Sequence, residues 1–151
     1  MQSGAIQATL LMAPETVVAR QAGLRMLLDF TQIDVDYQQT AIASTRHFVQ
    51  TRPDVVRSFM KAYVEGIHYM LANPDGTKKI MAKFLQQKDS KALEEAYSQV
   101  ILKLIRRVPY ATEKGIQLIL DQLKATNLKA ATAKPSDFIE ATFLKELEES
   151  G

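Results

Sequence analysis

The passage from Ser44 to Asn73 constrains this chain most: a short capped segment runs into Pro53 and then a long amphipathic stretch. Val55, Val56, Phe59, Met60, Tyr63, Val64, Ile67 and Leu71 fall on one stripe at helical spacing. Asp54, Arg57, Lys61, Glu65 and His68 fall largely off it. The helix should stop at Asn73, because a residue before proline is pushed out of the helical region. Gly66 sits inside it, costs about 1 kcal/mol relative to alanine, and is expected to permit a close helix approach.

Upstream, three short apolar runs read as strands: Ile6–Met12, Leu24–Phe30 and Thr40–Ala43. Pro14 suits the first turn of an intervening helix, since its missing N–H would lack a partner there, and Gly23 reads as the residue just past that helix. Gln32–Gln39 is a polar loop, and Ser44 or Thr45 should cap a short helix through Gln50. Strand, helix, strand in that order argues for an α/β unit with parallel strands.

Downstream the chain reads as helical throughout. Thr77–Leu85 turns Ile80, Met81 and Phe84 inward. A helix capped by Ser90 presents Leu93, Ala96, Tyr97, Val100, Ile101 and Leu104 until Pro109 breaks it. Thr112 should cap Glu113–Ala125, with Ile116, Ile119, Leu120 and Leu123 inward, and Lys129–Lys134 is a small-residue loop. Asp137 to Glu140 has capping-box spacing and should open a last helix to Glu149, burying Phe138, Phe143, Leu144 and Leu147. The predicted class is therefore helix-rich α/β, a small sheet near the N-terminus followed by about five helices, in one domain over residues 1–151.

A length of 151 residues allows one domain with a real core, or one lobe of a larger protein. Nineteen basic and 17 acidic residues, spread without a block of one sign, give a net charge of +2 and argue against a nucleic-acid partner. The absence of cysteine excludes disulfides, thiolate metal sites and cysteine nucleophiles. His47 and His68 have no helically spaced ligand partner, so neither a metal nor another cofactor is expected. There is no Ser-His-Asp order, phosphate loop or supported carboxylate pair, so the chain is expected not to be an enzyme. No stretch is long enough to span a bilayer, and the first residues do not read as a signal peptide; as written, the chain would stay in the cytoplasm.

The order of elements resembles the distal half of bacterial solute-binding proteins of ABC importers, the family that includes sulfonate, taurine, nitrate and thiamine-precursor receptors. Gly4–Phe30 is similar to the passage where that family's second lobe meets its ligand, and Thr40–Met70 to the passage that follows. Arg107–Leu123 and Ala133–Gly151, with its Phe143-Leu144-Lys145-Glu146-Leu147 ending, resemble the family's closing helices, so the resemblance extends over nearly the whole chain. It implies a partial type II periplasmic-binding lobe that binds a small organic solute or oxyanion without catalysis. It also implies an ABC importer membrane subunit as partner and a periplasmic location.

By the same resemblance the ligand-facing loop is Met12-Ala13-Pro14-Glu15-Thr16, with Thr40 and Arg46 as the second ligand-side group. Free N–H groups at a helix start attract anions, but Glu15 in that turn opposes one, so a neutral or cationic ligand fits better. Arg46 has the fork geometry to meet an anion bidentately. An alternative comes from another class: an α-rich interaction module that self-associates as a homo-oligomer through apolar surface left bare by the missing lobe.

Overall fold

Capping chemistry sets the helix boundaries across residues 3–150, the part of the chain described by the computed structural model. Helix α1 (Glu15–Gln21) stops at Gly23, which adopts φ +76°. Gly23 N–H donates to the Arg20 carbonyl at 2.9 Å and Leu24 N–H to that of Ala19 at 3.0 Å. This paired closure satisfies two carbonyls the helix itself leaves open, and the positive φ selects glycine. Helix α2 (Arg46–Thr51) opens on Thr45, whose hydroxyl accepts the Phe48 N–H at 3.1 Å.

The long helix α3 (Pro53–Ala72) ends where the sequence placed it, and Asn73 then caps α4 (Pro74–Phe84) by accepting the Gly76 N–H at 2.9 Å. Asp89, not Ser90, caps α5 (Ser90–Ala96), accepting from the N–H groups of Lys91 at 2.8 Å and Ala92 at 3.3 Å. A π turn, Tyr97–Ile101, continues it into α6 (Leu102–Leu104). Thr112 caps α7 (Glu113–Leu123) through the Gly115 N–H at 3.2 Å. Asn127 caps α8 (Leu128–Thr132), so most of the expected loop at 129–134 is helical. Asp137 lies in a 3-10 turn, Pro135–Phe138, with its carboxylate accepting the Lys134 N–H at 2.9 Å, and α9 begins only at Thr142 and runs to Ser150.

The expected sheet is absent: no strand occurs among the described residues. The α/β class and the partial periplasmic-binding lobe are corrected accordingly to an all-helical fold. A helix satisfies its own main chain, whereas a strand needs a second strand for every N–H and C=O it does not give to water. Ile6–Met12, Leu24–Phe30 and Thr40–Ala43 have strand-like composition but no ladder, and most of their large side chains face solvent; Leu10 is 66% and Leu27 73% exposed.

The chain divides into two compact units: residues up to Asp29 with Ile67–Arg106, and Phe30–Gly66 with the residues from Arg107 onward. In the first unit α5 packs against α1 and α4. Ala92 and Ala96, one turn apart and fully buried, let those neighbours approach, with Val17, Ile67, Leu93, Tyr97 and Ile101 filling the core. Arg20 pairs with Glu95, and Gln21 Nε2 donates to Asp89 at 2.9 Å, which ties α1 to α5. The hydroxyls of Thr77 and Tyr97 both donate to the Met70 carbonyl, at 3.2 and 3.0 Å, covering an open group in the last turn of α3.

In the second unit α7 packs on α8 and on the 135–138 turn, over a small core of Leu120, Ala130, Phe143 and Leu144. Arg57 forks onto Glu146 at 2.8 and 3.3 Å and lies over the Phe143 ring at 5.6 Å. The α3 stripe is poorly covered here: Phe59 is 52% exposed and stacks on Tyr63, itself exposed, at 6.4 Å. Gly66 has open space around it, so the close approach expected there does not occur.

Candidate functional site

A concavity lies in the first unit, a groove of about 340 Å³ beside α4. Ile80, Met81, Phe84 and Leu85 form one wall; Ala96, Val100 and Ile101 of α5 and the π turn contribute another, with Ala13. Ile80, Met81 and Phe84 have the helical spacing that was read as inward. They do face a common side, yet Phe84 remains 77% exposed because no further element crosses it. Every lining residue except Ala13 was missed as a site residue, since apolar spacing alone does not tell a covered face from a bare one. The lining offers shape and apolar contact but no nucleophile, acid or base.

The residues proposed from sequence fall in both units. Met12–Thr16 form the turn into α1, in the first unit; Ala13–Pro14 is a cis peptide, and Pro14 is buried. Thr16 N–H donates to the Met12 carbonyl at 3.1 Å and Val17 N–H to that of Pro14 at 3.0 Å, so these donors are already used within the chain. Glu15 is exposed on the first turn of α1. Only Ala13 of this loop lines the groove.

Thr40 and Arg46 lie in the second unit. Thr40 is exposed and its carbonyl accepts from Gln38 Nε2 at 2.7 Å. Arg46 starts α2 and donates to the Asp137 carbonyl at 3.2 Å. Hydrogen bonding to Thr142 and then the charge of Arg46 hold the Glu140 carboxyl below the usual range.

Other perturbed groups also sit at structural joints. The Gln21 amide, then the N–H groups of Ala92 and Lys91, depress Asp89; Arg57 depresses Glu146; bonding to Glu148 raises Tyr110. Each shift follows from a cap or a surface pair that fixes a helix end or a contact onto a helix. No group of metal-binding side chains occurs among the described residues, and no described helix is long and apolar enough to cross a membrane.

A family model described as NMT1/THI5 like matches residues 1–77, just over half of the chain. The chain belongs to the NMT1/THI5-like family. The match covers the N-terminal half and stops within α4, which corrects the resemblance drawn from sequence: neither a likeness extending through the closing helices nor an assignment to a receptor's C-terminal half is supported. The solute-binding reading is corrected with it. A periplasmic-binding lobe presents its ligand groups at the ends of sheet strands, and the described residues contain no strand to carry them. No curated protein and no solved structure matches the chain.

Proposed function

We propose that this chain is a non-enzymatic helical interaction module whose first partner is a second copy of itself. Surface area carries the reading. A compact domain of 16.9 kDa exposes about 7,700 Å², and two separate compact units of half that mass would expose about 9,300 Å². This chain exposes 11504 Å². Even against the larger reference, about 2,200 Å² per copy is surplus, or about 4,500 Å² for a pair, within the range that obligate homodimers bury.

Much of the surplus is apolar: the groove with Phe84, the face of α3 with Phe59 and Tyr63, and the runs Ile6–Met12 and Leu24–Leu28. Bare apolar surface of that extent drives association. An apolar groove without acid, base or nucleophile suits contact and not turnover, and a relationship to the NMT1/THI5-like family is consistent with binding.

Sedimentation velocity over a dilution series, with an environment-sensitive apolar dye in parallel, tests the reading. The expected result is a sedimentation coefficient that rises with concentration while dye fluorescence per mole falls. A constant monomer coefficient with no dye signal would refute it.

A further inference from the structure

We infer that two copies pair main chain to main chain along Ile6–Leu11, about a two-fold axis that passes beside Ala8. This rests on the self-association reading and says which segment performs it. The segment alternates through Leu10: Ile6, Ala8 and Leu10 fall on one side of an extended chain, and Gln7 and Thr9, followed by Leu11 at the end, on the other. In this unit it lies exposed, and none of its N–H groups donates to a main-chain carbonyl. Its one recorded bond is a long one of 3.5 Å from the Thr9 hydroxyl to the neighbouring Leu10 carbonyl. Six residues span about 20 Å, an ordinary strand.

Three observations favour a second copy as the occupant. No strand is present among the described residues, so they supply no ladder partner for this segment. The surplus area is of the size that a stable homodimer needs. Finally, nothing guards the segment: natural sheet edges are defended by lysine, proline or inward charge, and from Ser3 to Ala13 there is no charged residue and no proline. Two such segments therefore meet without repulsion.

A two-fold axis pairs identical segments antiparallel and is self-complementary. The register is fixed by keeping the apolar sets on one side. With Ala8 opposite Ala8, Ile6 faces Leu10 on one surface of the ribbon, and Gln7 faces Thr9 on the other. A register displaced by one residue would put Ile6 against Leu11 and Leu10 against Gln7, mixing the two sets. The second bare run, Leu24–Leu28, is a weaker candidate because Arg25 lies within it and the Leu24 N–H is already bonded to Ala19.

The axis gives the test. Ala8 is exposed, so Ala8→Asp and Ala8→Lys leave the helices of each copy intact, which far-ultraviolet circular dichroism verifies. Like charges directly opposite one another destabilise a strand pair, and opposite charges support it. Each variant alone is expected to raise the dissociation constant at least tenfold, and an equimolar mixture of the two to restore tight association. In the parent chain the infrared amide band of paired strands should grow with concentration.

Association of Ala8→Asp as tight as the parent's, or failure of the mixture to recover, would overturn the pairing. So would a parent that associates with no paired-strand signal, or one that grows into fibres instead of a discrete dimer, although self-association would then stand. A parent that stays monomeric would instead remove the self-association reading beneath it.

Discussion

Within the first unit, α5 with its π turn and the run Ile6–Leu11 each present an apolar set, and the two sets meet opposite fates. Ala92, Leu93, Ala96, Tyr97 and Ile101 are buried; Ile6, Leu10 and Leu11 are not. A helix closes its own hydrogen bonds, so it can bury one stripe against whatever neighbour is at hand. An extended run cannot enter an interior until something pairs with its main chain. The contrast separates a finished core from a surface that awaits a partner, and each expectation below would sharpen it or break it.

The largest effect should come from truncating the two regions alike. Leu93→Ala should cost about 2–5 kcal/mol, whereas Leu10→Ala should change the stability of the dilute chain by less than about 0.5 kcal/mol. Urea denaturation followed by circular dichroism measures both, and equal costs would abolish the distinction. Next is Gly115→Ala in the second unit. An added Cβ would lie 2.8 Å from the Thr112 hydroxyl and 2.9 Å from the Gln38 main-chain nitrogen. Its cost should be about 1–3 kcal/mol, as for other overpacked sites.

Tyr97→Phe removes one of the two hydroxyls on the Met70 carbonyl and leaves Thr77 in place. The same assay should register about 1 kcal/mol. Gly66→Ala should act in the other direction: with nothing within 4 Å of the added carbon, α3 gains up to about 1 kcal/mol from better helix propensity. A loss there would reveal a packing contact that the open surroundings deny.

The smallest effect concerns pH. Bonds from Gln21 and from the N–H groups of Ala92 and Lys91 hold the Asp89 carboxyl below its ordinary range. A depressed folded value means the contribution is complete above the ordinary aspartate value and is lost as acid takes the pH down through the folded one. Asp89→Asn, whose amide oxygen can still cap α5, should flatten that part of a stability profile measured from roughly pH 6 to pH 2. An unchanged acid limb would detach the cap from acid stability.

Helix placement was largely legible because its signals are local. Pro53, Asn73-Pro74, Thr45, Thr112 and Gly23 each mark a boundary by their own chemistry, and the structure keeps each one. The sheet was not legible in the same sense. Period-two apolar runs record what a segment would do if a partner strand lay beside it, and that partner is not written in the segment. For the same reason Phe84, Phe138 and Tyr63 have inward spacing and outward positions. As for the site, the resemblance pointed at the turn into α1, and of that turn only Ala13 meets the apolar groove.

Light scattering coupled to size exclusion, on the parent chain at micromolar concentration and after serial dilution, bears on the central claim most directly. The account requires a mass of about twice 16.9 kDa that declines toward the monomer on dilution. A mass of 16.9 kDa at every concentration, in a well-folded sample, would contradict it.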